Sequence, residues 1–480
     1  MLKVLLKRQL IEDILTSRFY ISLVLIFGAV CAFALVFADH FQKSQDSYLK
    51  VMAQNDRYLQ QFAKSPKEHL NSSIQSFMLK PKPELFISEA YEGNIPQGFL
   101  YEPYMYSVEL LSLKEEVSAA QHYRFVSKKE NLADVLTYSP DLTFIVQVLL
   151  SFLALILTFG AVTAEKEKGT LRLIYSNPAK RAYFILAKYL SALFTVGISL
   201  FIGLILSLIL LNVLSAVPLS SSLISSYSLF FLVSIIYLSV FILLGILCSV
   251  LSHRSKNSLV LCLLIWVFLV IVFPKSTGML LTLKRFDVPT EEEIYQLAQK
   301  ASIETEDRLE KQLPPDWSRK YYEKYRLNEL LLKFQFESDK SKQDTLDYYL
   351  RKKLSAVGAA RRVNFLSPAS LFEYSSSSVS GTGLFHFENL WTEIRRYEDD
   401  FLSFVKNEGS VLEKGAFFYL NYDTISDKPL DFNAIPKFED KNPKSSERLK
   451  DALPYVGLLL LYNLLLFVVV FYKFQTYDVR

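Results

Sequence analysis

The densest run of chemistry-bearing residues is Glu165-Lys166-Glu167-Lys168-Gly169-Thr170-Leu171. The two carboxylates are placed either to pair with basic groups on a partner or to hold the geometry of the loop they occupy. Gly169 is placed to end a helix, because glycine accepts the left-handed backbone found just past a helix C-terminus. Asn177-Pro178 marks the next helix start, with Asn as cap and Pro at a first helical position whose N–H would be orphaned anyway. Between them, Thr170 to Tyr175 has room for one or two turns. A helix that short is unstable alone in water and needs a surface to lie on. Leu171, Ile174 and Tyr175 recur at i, i+3 and i+4 and form one apolar face. Such a face suits docking into a partner's groove. On these residues alone, a membrane-lying turn in a basic cytosolic loop fits as well.

Catalytic chemistry is absent from the rest of the string. No Gly-x-x-x-x-Gly-Lys-Ser/Thr motif occurs, so the chain does not cradle ATP phosphates in the P-loop manner. His40, His69, His122, His253 and His386 are scattered, with no His-Glu-x-x-His pair for zinc. Ser375 to Ser378 is a serine run with no base nearby and reads as a flexible loop rather than a nucleophile. The expectation is a protein with no catalytic residue, no metal and no cofactor of its own.

The charged loop joins two apolar stretches, so the elements that must position it are membrane spans. Leu142 to Val162 carries no formal charge, and Ala182 to Val217 carries only Lys188. Six spans are expected, at 19–38, 142–164, 183–214, 229–251, 258–273 and 454–472, most of them long enough for a bilayer core. Lysine and arginine crowd residues 1–18, the loop 165–182, His253-Arg254-Ser255-Lys256 and the tail 473–480. A basic excess in short loops marks the cytosolic side. Both termini are therefore expected inside, with residues 1–18 as an interfacial helix. The net charge of +4 is too small to argue for nucleic acid.

Two long polar segments, 39–141 and 274–453, then fall outside. In the first, Gln42 to Lys64 reads as helix. Pro81, Pro83, Pro96 and Pro103 with Gly93 and Gly98 then break the chain into short strands and turns. In the second, Thr290 with Glu293 forms a capping box ahead of a helix to about Gln312. Charged helices follow at Asp316 to Glu337 and Lys340 to Arg362, and Ala369 to Leu390 reads as lying along the membrane surface. Cys31, Cys248 and Cys262 all sit in apolar runs, so no disulfide framework supports the outer segments. The fold class is a polytopic α-helical membrane protein with six transmembrane helices and two large extracytoplasmic insertions, the first mixed α/β and the second mainly α.

The loop also resembles the one between the second and third spans of ABC-2 type transporter permeases. That family carries Glu-x-Glu-x-Gly-Thr-Leu, then Ser-x-Pro-x-x-Arg, then a Lys early in the next helix. Here these are Glu165, Glu167, Gly169, Thr170, Leu171, Ser176, Pro178, Arg181 and Lys188. The resemblance implies a coupling loop, with Leu171, Ile174 and Tyr175 on its docking face, and a dimeric ABC ATPase subunit that binds the ATP. It implies a second copy or a related permease as a further partner, surrounding lipid, and a bacterial cytoplasmic membrane. The outer segments resemble the DUF3526-type subgroup at Lys80-Pro81-Lys82-Pro83, Ser367-Pro368-Ala369 and Gly381-Thr382-Gly383. Export of a substrate is the leading expectation. The size of the outer segments motivates a second, force transmission to a periplasmic protein without a pore. A receptor or scaffold without any ATPase has the loop against it.

Overall fold

The computed structural model describes residues 2–69, 75–78, 80–89, 98–102, 107–111, 141–171, 181–215, 217–274, 291–311, 326–404, 428–441 and 443–476. Six of its helices are long and apolar enough to cross a membrane, and the protein is a multi-pass membrane protein. Helix α1 (Leu2–Leu15) precedes them. The spans are α2 (Ser17–Lys64), α3 (Leu142–Glu167), α4 (Arg181–Ser215), α5 (Ser221–Leu251), α6 (Ser255–Val272) and α11 (Ser445–Gln475). Between α6 and α11 lie α7 (Glu291–Glu310), α8 (Arg326–Asn364), α9 (Pro368–Ser380) and α10 (Leu384–Ser403).

Burial ranks the spans. In α5, 72% of the apolar window is buried, against 22% in α6 and 11% in α11. So α5 is the central post, while α6 and α11 face outward with leucines and valines that suit lipid. Two polar contacts hold partners to α5 in the bundle interior. Tyr237 Oη donates to Gln147 O of α3 at 2.9 Å, and Asn463 Nδ2 of α11 donates to Ile236 O at 2.9 Å. In hydrocarbon such groups must be satisfied within the protein.

Helices α3 and α5 cross closely at a glycine. A Cβ added at Gly245 would overlap Thr158 Oγ1 and sit 3.0 Å from Thr158 Cβ. Small residues let membrane helices approach this closely. Gly245→Ala should therefore overpack the crossing by about 1–3 kcal/mol. A lowered thermal midpoint of the solubilised protein, partly recovered by Thr158→Ala, is the expected reading. An unchanged midpoint would show that the crossing is loose.

Helix α2 does not stop at the bilayer. Its 48 residues run unbroken, about 72 Å, so the expected span and the expected helix Gln42 to Lys64 are one rod. Its far end meets the second insertion: Ala63 O accepts from Leu430 N at 2.7 Å, and the Phe62 ring lies 6.3 Å from Phe401. The two insertions therefore pack together. A three-stranded antiparallel sheet, in the order β1 (Gln75–Met78), β2 (Gly98–Glu102), β3 (Ser107–Leu111), belongs to the first. In the second, α7 and α8 pair side by side, and Ser302 and Ser338 hydroxyls meet at 2.6 Å. The charged helices expected at 316–337 and 340–362 are one helix from Arg326, and Thr290 and residues 316–325 lie outside the described residues.

Helix α9 departs most from expectation. Ser375 to Ser378 do not form a flexible loop, and the chain from Ala369 does not lie on the membrane surface. They form a buried helix wedged among α3, α5, α6 and α11. Ser367 caps it and Pro368 opens it. Phe372 stacks on Tyr237 at 4.4 Å between ring centroids. Gln147 Nε2 donates to Ala369 O at 3.3 Å, and Ser367 Oγ donates to Leu269 O at 2.7 Å. Both span partners sit in π-helical turns, Ile145–Leu150 and Val267–Val272, where the regular ladder is interrupted and side chains are re-aimed.

Candidate functional site

The charged loop begins where α3 ends. The last α-helical turns of α3 stop at Glu167, and Gly169 follows with φ of 73°, the left-handed conformation its sequence position requires. Thr170 and Leu171 resume a helical turn. Ile174, Tyr175, Ser176 and Pro178 lie outside the described residues, and the chain is described again from Arg181.

Each end of the loop is tied to a different span. Glu165 Oε1 accepts from Lys188 Nζ of α4 at 2.9 Å, with side-chain exposures of 18% and 12%. Its other oxygen accepts from Thr170 Oγ1, so the carboxylate folds the loop back on itself. Glu167 turns the opposite way. Its two oxygens accept from Ser255 N at 2.8 Å and Ser255 Oγ at 2.9 Å, at the first turn of α6. A carboxylate there satisfies an orphan backbone donor and faces the positive end of the helix. Ser249 Oγ of α5 accepts from Val162 N at 2.9 Å and Thr163 N at 3.1 Å, where α3 is irregular. At the far end, the Arg181 guanidinium donates to Gln475 O at 2.6 Å, at the C-terminus of α11.

Helix α1 covers the same corner. Asp13 Oδ2 accepts from Ser191 Oγ of α4 at 2.5 Å. Burial pushes the Asp13 carboxyl up, partly offset by the Ser191 and Gln9 hydrogen bonds. Leu5, Arg8 and Gln9 line a small cleft with Glu165, Phe184 and Lys188.

Leu171 does not do what its periodicity promised. It is 1% exposed and belongs to the chain's own apolar core. The i, i+3, i+4 pattern locates an apolar face but not whose core that face joins. Leu171 is an anchor of the loop.

A family model described as ABC-2 family transporter protein matches residues 8–479. The chain belongs to the ABC-2 transporter family. Among curated proteins, none matches it. The match runs through both insertions as well as the spans, so this ABC-2 protein carries its two long insertions inside the family's extent. Sequence reasoning gave Lys188 a place in the family pattern but no partner. It missed Ser255, for which a serine at the start of a span after a basic turn was the only signal.

Proposed function

We propose that this chain is the permease subunit of an ABC exporter, driven by a separate ATPase subunit that binds the ATP. The observation that carries the reading is the anchoring of one short loop on three spans. Through Glu165, Glu167 and Arg181 it grips α4, α6 and α11. A partner pressing on residues 172–180 then moves several spans at once. Lys166, Lys168, Arg181, Arg254 and Lys256 belong to this end, and such a basic excess supports a cytosolic loop and cytosolic termini. The insertions then face the outside of a bacterial cytoplasmic membrane. Two such subunits, identical or related, enclose the pathway above an ATPase dimer. No resident cofactor or catalytic residue is required of this chain.

A second reading is favoured by the rod α2 and by α8, which at 39 residues is about 58 Å long. Both are longer than a bilayer is thick. In this reading the outer segments pass force to a periplasmic protein and no substrate crosses. Reconstitution with the ATPase in liposomes separates the two. ATPase stimulation by a transported amphipathic compound supports export, and stimulation only by a periplasmic protein supports force transmission.

A further inference from the structure

A buried ionic cluster that neither reading uses joins the first insertion to segments that follow α9 in the chain. Lys82, from the first insertion, places its ammonium 3.0 Å from Asp440 Oδ2 and 2.8 Å from His386 Nε2. Lys82 and Asp440 side chains are 7% and 5% exposed, and His386 is also buried. Lysine only donates, so Nε2 accepts and Nδ1 carries the imidazole proton. Burial, with Lys82 and Arg448 nearby, holds the ring's pKa down to about 4, so it is neutral at neutral pH. Among the described residues, neither Asp440 oxygen has an aligned hydrogen bond, and His386 Nδ1 has no partner. Lys82 is thus the charge that Asp440 depends on.

The cluster closes over the exit of α9. Its C-terminus ends at Gly381, φ 74°, and a side chain there would meet the Arg448 guanidinium at 3.1 Å. Thr382 Oγ1 donates to Ser88 O at 2.8 Å. Arg448 donates to Pro443 O at 2.9 Å and to Ser226 Oγ of α5 at 3.2 Å, and lies 3.9 Å from Glu84. Within α9 itself, serine hydroxyls bond mostly to their own helix, as Ser375 does to Leu371 O and Ser380 to Ser376 O. Ser378 Oγ also donates to Asp451 Oδ2 of α11 at 2.5 Å, and Leu371, Phe372 and Val379 lie in the apolar core, so α9 is held along its length as well as at its C-terminal exit.

We propose that Lys82, Asp440 and His386 form a clasp that keeps α9 seated in the bundle, so that the ends of the two insertions must part before α9 can leave. A buried ion pair adds little net stability over an apolar substitute, but removal of one partner strands the other charge. The clasp is therefore directional: it specifies which segments stay together, and it opens as a unit.

The test uses the full chain in nanodiscs, with Cys31, Cys248 and Cys262 replaced by alanine. S376C supplies a thiol at a position 0% exposed in α9, and S199C supplies a control in α4, 1% exposed. Labelling by a water-soluble maleimide reports the opening of each region. Lys82→Met and Asp440→Asn should each speed labelling of S376C by about tenfold or more while S199C stays protected. Lys82→Arg, which keeps the charge, should restore protection. Labelling of S376C within about twofold of the parent in both variants would overturn the clasp. Equal acceleration at S199C would also overturn it, because the cluster would then support the whole fold rather than α9. The result does not depend on an ATPase, so it stands or falls apart from the proposed function.

Discussion

Leu171→Asp is expected to yield no folded protein, rather than a folded subunit that has lost a partner. Leu171 is 1% exposed in a core shared with Val162, Phe184 and Ile185. A carboxyl placed there would be driven to its neutral form, and an unbonded neutral polar group still costs about 2–7 kcal/mol on transfer scales, beyond the loss of the leucine's own packing. That is a large part of the whole stability of a domain, about 5–15 kcal/mol. Leu171→Met conserves volume and should stay within about 1.5 kcal/mol of the parent. Size-exclusion profiles of the two variants from the same membranes make the comparison. A monodisperse Leu171→Asp peak with an unchanged thermal midpoint would show that the residue faces out of the chain.

The second large effect is expected at Glu165 and Lys188. Lys188→Met leaves the Glu165 carboxylate only its bond to Thr170, in a site less than a fifth exposed. Glu165→Gln leaves the ammonium beside a neutral amide. Each single change should lower the thermal midpoint, by an amount equivalent to about 1–3 kcal/mol for a partly buried pair. The double variant should recover part of the loss, because no charge is then stranded. The coupling energy from the four proteins measures the tie between loop and α4 directly. Strictly additive losses would mean that the 2.9 Å contact holds nothing in place.

How far these features were legible depends on the range of the forces that set them. The spans were legible because a bilayer imposes length and apolarity on consecutive residues. Gly169 was legible because its left-handed backbone is a local demand. Leu171 was legible as apolar, but periodicity does not distinguish a face that docks on a partner from one that docks at home. Helix α9 was hidden by composition. Its serines look like loop, yet Ser375, Ser377, Ser378 and Ser380 satisfy their hydroxyls on carbonyls of their own helix and can be buried. The partners of Glu167 and Lys82 were invisible for another reason. Ser255 is 88 residues from Glu167, and His386 is 304 from Lys82, so only the folded chain brings them together.

The central claim is that the loop from Glu165 to Arg181 takes up the work of a separate ATPase. Its most direct test is capture of that ATPase by the full-length chain, native and Ile174→Asp/Tyr175→Asp, from membranes where both are expressed. The two substituted positions continue the face of the short helix expected from Thr170, past the buried anchor Leu171. Two carboxylates in an apolar groove should weaken binding by several kcal/mol, roughly a hundredfold or more in affinity. The account predicts that the variant folds and inserts with an unchanged size-exclusion profile, yet loses both the captured ATPase and its stimulated activity in liposomes. A folded variant that keeps the bound ATPase and its full stimulation would contradict the account.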